Sequence, residues 1–155
     1  MKSDGLEKID FADDVVIAGM GGELIARIIS GCRFLSGDTR FILQPMTKAE
    51  ILRRELYRSG FEIIEERTAR EGERLYTVML VKFTGEKCDP DELFCLCGKT
   101  ADPEMLRHIA EKLLKSAAGM EKSRRASEVS ENSVSEPAEL RLLAEKILAK
   151  VNDRR

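Results

Sequence analysis

Three observations predict an α/β fold. The apolar run Val15-Val16-Ile17-Ala18 stops at Gly19-Met20-Gly21-Gly22, and a helix-period pattern opens at once in Glu23-Leu24-Ile25. A second unit of the same kind follows, its strand ending in Gln44-Pro45. After Gly60 the pattern changes to two β-rich runs joined by a short polar stretch. The first two units are the strand–turn–helix pieces of a parallel sheet, and the last is an antiparallel hairpin. Ligands of open α/β sheets sit at the carboxyl ends of strands, so Gly19–Gly22 and Gln44-Pro45 mark one candidate edge.

Each element has its own justification. Ser3 to Phe11 reads as a polar lead-in. Val15 to Ala18 is uninterrupted apolar sequence, as expected of a strand buried on both faces. Glu23 to Ile29 carries Leu24, Ile25, Ile28 and Ile29 on one helical face, and Ser30-Gly31 ends it. Arg40 to Leu43 is the second strand. Thr47-Lys48-Ala49-Glu50 reads as a capping box that opens the second helix. That helix has Ile51, Leu52, Leu56 and Tyr57 as its apolar stripe and ends at Gly60. Phe61 to Glu66 and Tyr76 to Phe83 are strands, with a reversal at Glu71-Gly72.

Gly85 to Ala101 reads as loop and carries Cys88, Cys95 and Cys97. Asp102-Pro103-Glu104 has the cap, first-turn proline and acid of a helix start. Leu106, Ile109, Leu113, Ala117 and Met120 repeat at the steps of a helix–helix seam. Leu140, Leu143, Ile147 and Val151 form a second seam beyond a Ser/Glu-rich stretch from Lys122 to Pro137, predicting an antiparallel helical hairpin. The expected organisation is therefore residues 1–85, a linker at 86–101, and a helical appendage at 102–155.

Bulk properties narrow the function. The length of 155 residues suits one domain, or one small domain with an appendage. A net charge of -2 excludes a uniformly basic nucleic-acid binder and leaves room for a local basic face. Four Cys without a signal-like N-terminus point to a reducing, cytoplasmic setting. No apolar run approaches the roughly 20 residues of a membrane span. A single His, His108, excludes a His-rich metal centre and any mechanism that needs two histidines.

Two readings fit Gly19–Gly22 taken alone: a close strand-to-helix packing turn, and a ligand-bearing turn. A Rossmann nicotinamide site would place an acidic residue at the end of the next strand, where Leu43-Gln44 stands instead. Cys88, Cys95 and Cys97 lack the paired spacing of a structural zinc site, with His108 the remaining candidate ligand, so no metal is expected. Arg53, Arg54 and Arg58 on the second helix, and Lys112, Lys115, Lys122, Arg124 and Arg125 in the basic stretch of the tail, are candidate phosphate contacts or solvated charges.

Ser3-Asp4-Gly5-Leu6, Val16 to Gly22, Ile42-Leu43-Gln44-Pro45-Met46, Leu52-Arg53-Arg54 and Gly60-Phe61 together resemble the bacterial tRNA (adenine-22-N1)-methyltransferase family. The resemblance covers nearly the whole chain. It implies the C-terminal half of a class I (Rossmann-like) methyltransferase sheet ending in an antiparallel hairpin, followed by the helical, coiled-coil-like hairpin as tRNA-binding appendage. It implies S-adenosylmethionine as cofactor and tRNA as partner. Asp4, Gly5, Leu6, Ala18 and Gly19 would meet the cofactor, with Asp4 accepting from its adenine amine. Gly19, Met20, Gly21, Gly22, Gln44 and Pro45 would form the catalytic edge. The family's first strand, with its glycine-rich loop, has no counterpart here, nor has the acidic residue on its second. The chain is therefore expected to be a fragment or truncated remnant. A non-catalytic RNA- or partner-binding module is the alternative, and an open edge on the first strand is expected to promote self-association.

Overall fold

A computed structural model describes residues 5–126 and 137–152. The chain divides into two compact units, 1–100 and 101–155. The first is α/β. Strand β1 (Asp14–Gly21) leads into helix α1 (Gly22–Ser30), then β2 (Arg40–Thr47), α2 (Ala49–Arg58), β3 (Phe61–Glu71), β4 (Arg74–Phe83) and a short α3 (Glu92–Cys97). The sheet order is β1-β2-β4-β3. β1 and β2 run parallel, as the α1 crossover requires, while β4 is antiparallel to both β2 and β3. The expected parallel units and terminal hairpin are present, and the hairpin turns at Gly72 with φ +58°.

The strands alternate. Val15 and Ile17 of β1, Phe41, Leu43 and Pro45 of β2, and Thr77, Met79 and Val81 of β4 are buried. All of these but Pro45 and Thr77 form one core with Ile25 and Ile29 of α1 and Leu52 and Leu56 of α2. Phe61 stacks edge-on between Phe41 and Phe83, with ring centroids 5.3 and 5.2 Å away. The expectation that Val15–Ala18 is buried on both faces is corrected: Val16 is 65% exposed and Ala18 is exposed as well. Both apolar helix stripes cover a single face, so alternate residues of β1 point to the other.

Two boundaries differ for a shared reason. β2 continues through Gln44 and Pro45 to Thr47, because Gly21 at the end of β1 pairs with Thr47. Thr47 is thus a strand residue and not a helix cap. Lys48 takes the N-cap position of α2 in the left-handed region, φ 56° and ψ 42°, without a side-chain cap bond. The Gly85–Ala101 stretch, read as loop, contains α3, capped by Asp91, whose carboxylate accepts from the Phe94 N–H at 2.7 Å.

The second unit pairs α4 (Pro103–Ala126) with α5 (Pro137–Asn152). Leu106, Ala110 and Ala117 of α4 and Ala144, Ile147 and Val151 of α5 are buried. Arg141, near the start of α5, forms a forked pair with Glu121, near the end of α4, at 2.9–3.2 Å. End meets start, as in an antiparallel hairpin.

Candidate functional site

The carboxyl ends of β1 and β2 meet through one side chain. At Gly19 the β1 register slips, and the residue adopts φ +78°. This conformation favours glycine. The bulge turns the Gly19 N–H out of the ladder, and Gln44 Oε1 on β2 accepts it at 2.9 Å. That bond fixes the amide orientation: the oxygen faces β1 and the Nε2 group faces away. Nε2 makes only long contacts, 3.4 Å to the Pro45 carbonyl and 3.4 Å to Met46 Sδ. Gln44 therefore clamps two strand ends and still presents an amide donor.

The glycines of this edge divide into two jobs. A Cβ on Gly19 would meet nothing within 4 Å. A Cβ on Gly22 would collide with the backbone carbonyl oxygen of Lys48 and stand 3.1 Å from Leu52 Cβ. Gly22 is thus the close-packing glycine, seating the start of α1 against the start of α2. Gly19 is the one beside open space, and a ligand's approach requires such space. The contact at Lys48 is reinforced by its ammonium, 2.7 Å from the Glu23 carboxylate on α1. Met20 and Met46, 38% and 45% exposed, give the edge an apolar, polarizable margin.

The remaining predicted residues fall elsewhere. Leu6 is buried in the core, and Gly5 lies against Ile28 of α1. Asp4 lies outside the described residues. Lys112, Lys115 and Lys122 are exposed on α4. Arg124 and Arg125 belong to the last turn of α4, and their side chains lie outside the described set. Among the described residues no three His, Cys, Asp or Glu stand together as metal ligands. Cys95 and Cys97 are buried and Cys88 is exposed. Burial pushes the Cys95 thiol up, against the opposing pull of the Arg54 guanidinium.

The α2 arginines require a correction. Arg53 is 3% exposed and cannot reach a phosphate. Its Nε donates to Glu66 Oε1 at 2.8 Å, and its Nη1 donates to the carbonyls of Cys95 and Leu96 at 2.6 and 2.9 Å. Arg54 is paired with Glu92, and Arg58 with Asp89 at 3.1 Å. The Arg58 guanidinium holds the Asp89 carboxyl below its usual range. These arginines bind the segment after β4 back onto α2. The available signal was positional: Ala49, Arg53 and Tyr57 follow at four-residue steps beside the Leu52–Leu56 stripe, so Arg53 borders the buried face.

An α/β sheet with a glycine bulge and a clamping amide at adjacent strand ends has the architecture of a Rossmann-like domain, a fold whose ligands sit at such strand ends. Residues 1–79 match the family model described as a methyltransferase domain, and the chain belongs to that family. It is 35% identical over 105 residues to the tRNA (adenine(22)-N(1))-methyltransferase of Bacillus subtilis, covering 66% of this chain and 44% of that protein. The chain thus spans less than half the length of this curated relative. Among solved structures, the B. subtilis M1A22 tRNA methyltransferase superposes with a TM-score of 0.57 at 26% identity, covering 97% of this chain and 67% of that one. A Streptococcus pneumoniae candidate tRNA (m1A22) methyltransferase, solved in complex with S-adenosyl-L-methionine, shares the fold with a TM-score of 0.64 at 24% identity, covering 94% and 66%.

Proposed function

We propose that this chain serves S-adenosylmethionine-dependent methylation of adenine N1 in tRNA. The observation that carries the site assignment is the open, left-handed Gly19 bonded to Gln44. It is supported by the methyltransferase-domain match and by the relatives named above.

The chemistry asks little of acids or bases. N1 of neutral adenine already carries an in-plane lone pair, and the cofactor supplies an electrophilic methyl on sulfonium. The protein's part is to hold the two in line and to exclude water. Ala18 and Gly19 are suited to the cofactor, because the bare backbone there admits close approach. Gln44 Nε2 offers a donor to a ring nitrogen of the base other than N1, which leaves the N1 lone pair free. Pro45 stiffens the strand end through its fixed φ. Met20 and Met46 offer apolar contact that helps to exclude water from the reacting atoms. The exposed Lys112, Lys115 and Lys122 support tRNA backbone contact by the helical unit.

The test is a calorimetric titration of S-adenosylmethionine into the full chain, with tRNA gel shifts on the same sample at rising salt. Micromolar cofactor binding and a salt-sensitive shift are expected. A shift without cofactor binding would reduce the chain to RNA recognition alone. Two further parts belong to this reading. Four cysteines outside any disulfide support a reducing, cytoplasmic setting, and no helix among the described residues is long and apolar enough to cross a membrane. β1 has β2 as its sole strand neighbour among the described residues, which supports edge pairing between copies. The scattering mass should fall on dilution, and a constant monomer mass would sink that part.

A further inference from the structure

A groove of about 330 Å³ opens beside the candidate edge, lined by Gln44, Met46, Ala69, Arg70, Glu71 and Tyr76. Its walls come from β2 and from the distal half of the β3–β4 hairpin. Thr77 and Met79 of β4 are buried under the helices, so Tyr76 belongs to the opposite face. Gln44 and Met46 alternate with buried Leu43 and Pro45, which puts them on that same face. Continuing the antiparallel register beyond Leu43–Met79 sets Met46 opposite Tyr76. Ala69, the β3 partner of Tyr76, is small and leaves the ring uncovered on that side.

The tyrosines of this chain differ in kind. Tyr57 packs edge-on against Phe94 at 5.3 Å. Tyr76 is half-buried like Tyr57 but has no aromatic partner among the described residues, and it donates its hydroxyl to Glu71 Oε2 at 3.3 Å. Its ring is thereby anchored at the rim while its face stays open to the groove. An aromatic face beside a clamped amide donor is what an unstacked nucleobase needs: a surface to replace its lost neighbours and a polar group to read its edge.

We propose that Tyr76 is a positioning residue, the platform on which the substrate adenine stacks once it has left the RNA helix, with Gln44 Nε2 at its edge. This rests on the methyltransferase reading above and adds the face that holds the base. The hydroxyl serves only to anchor the ring, so Tyr76→Phe keeps the platform and Tyr76→Ala removes it.

The test uses adenosine monophosphate as the probe, with S-adenosylhomocysteine present in excess to fill the cofactor's own adenine site. The chain has no Trp and two Tyr, so Tyr57→Phe leaves Tyr76 as the sole strong emitter. Saturable quenching of that emission is expected. By calorimetry, Tyr76→Phe should hold affinity for the probe within about twofold, and Tyr76→Ala should weaken it about tenfold, the order set by base–aromatic stacking. Circular dichroism confirms that each variant folds. Unquenched emission at probe saturation, or equal affinity in Tyr76→Ala, overturns the proposal. S-adenosylhomocysteine binding is read separately in the same cell. Its absence counts against the methyltransferase reading, while the contrast between Phe and Ala still decides the platform.

Discussion

Replacing Arg53 by Met should cost the first unit about 3–5 kcal/mol, the penalty for breaking one side of a buried ion pair. Arg53 and Glu66 are 3% and 0% exposed at the side chain, so water does not take over when one is removed. The loss extends beyond the pair. Arg53 Nη1 also satisfies the carbonyls of Cys95 and Leu96, and Glu66 Oε2 accepts from the backbone N–H of Lys99. Replacing both charges with apolar residues, which often restores stability elsewhere, would leave those backbone groups without partners here. Arg53→Lys should not rescue, because the guanidinium uses Nε and Nη1 in different directions and an ammonium is a point charge. Gly98 completes the arrangement: with φ +60°, it lies so close that a Cβ would strike Glu66 Oε2. Urea unfolding followed by circular dichroism is the check. A midpoint unchanged in Arg53→Met would mean that the Cys95–Lys99 segment is held by something else.

The second large effect contrasts two glycines three residues apart. Gly22→Ala puts a methyl against the Lys48 carbonyl and forces α1 and α2 apart, at about 3 kcal/mol, the upper part of the usual overpacking range. Gly19→Ala meets no neighbour, so its folding cost is the left-handed backbone alone, about 1–2 kcal/mol. Its methyl would occupy the space a ligand needs. Cofactor affinity should therefore fall more in Gly19→Ala than its stability loss suggests, while Gly22→Ala loses stability first. Thermal melts and calorimetry on both variants separate these outcomes. Equal loss of binding and stability in the two would dismiss the division of roles.

What was legible in the sequence followed from period and punctuation. Val15-Val16-Ile17-Ala18 before glycines, the stripes of α1 and α2, and Glu71-Gly72 between two β-rich runs were enough to place each strand and the hairpin. Pairing was not legible. Whether β2 stops at Leu43 or runs to Thr47 depends on which residue of β1 lies beside it, and Gly21 decides that from 26 positions away. Burial of Val16 was misread because an apolar run does not say on which side the helices return. For the site, the glycine cluster and Gln44 stood out as a set, but the clamp between them rests on a bulge, which is a property of the paired sheet. Arg53 was misassigned because arginine on a helix is ordinarily solvated, and its acceptors lie 13, 42 and 43 residues further on.

The bulge at Gly19 also supplies a built-in spectroscopic probe. Its amide proton is held by a side chain instead of by the sheet, so its protection from solvent exchange reports the opening of Gln44 and not the unfolding of β1. In an isotope-labelled sample this single resonance should exchange faster than those of Val15 and Ile17, whose N–H groups face β2 in the parallel ladder, and slow when an occupant steadies the amide. The edge can thus be followed residue by residue before any turnover is observed.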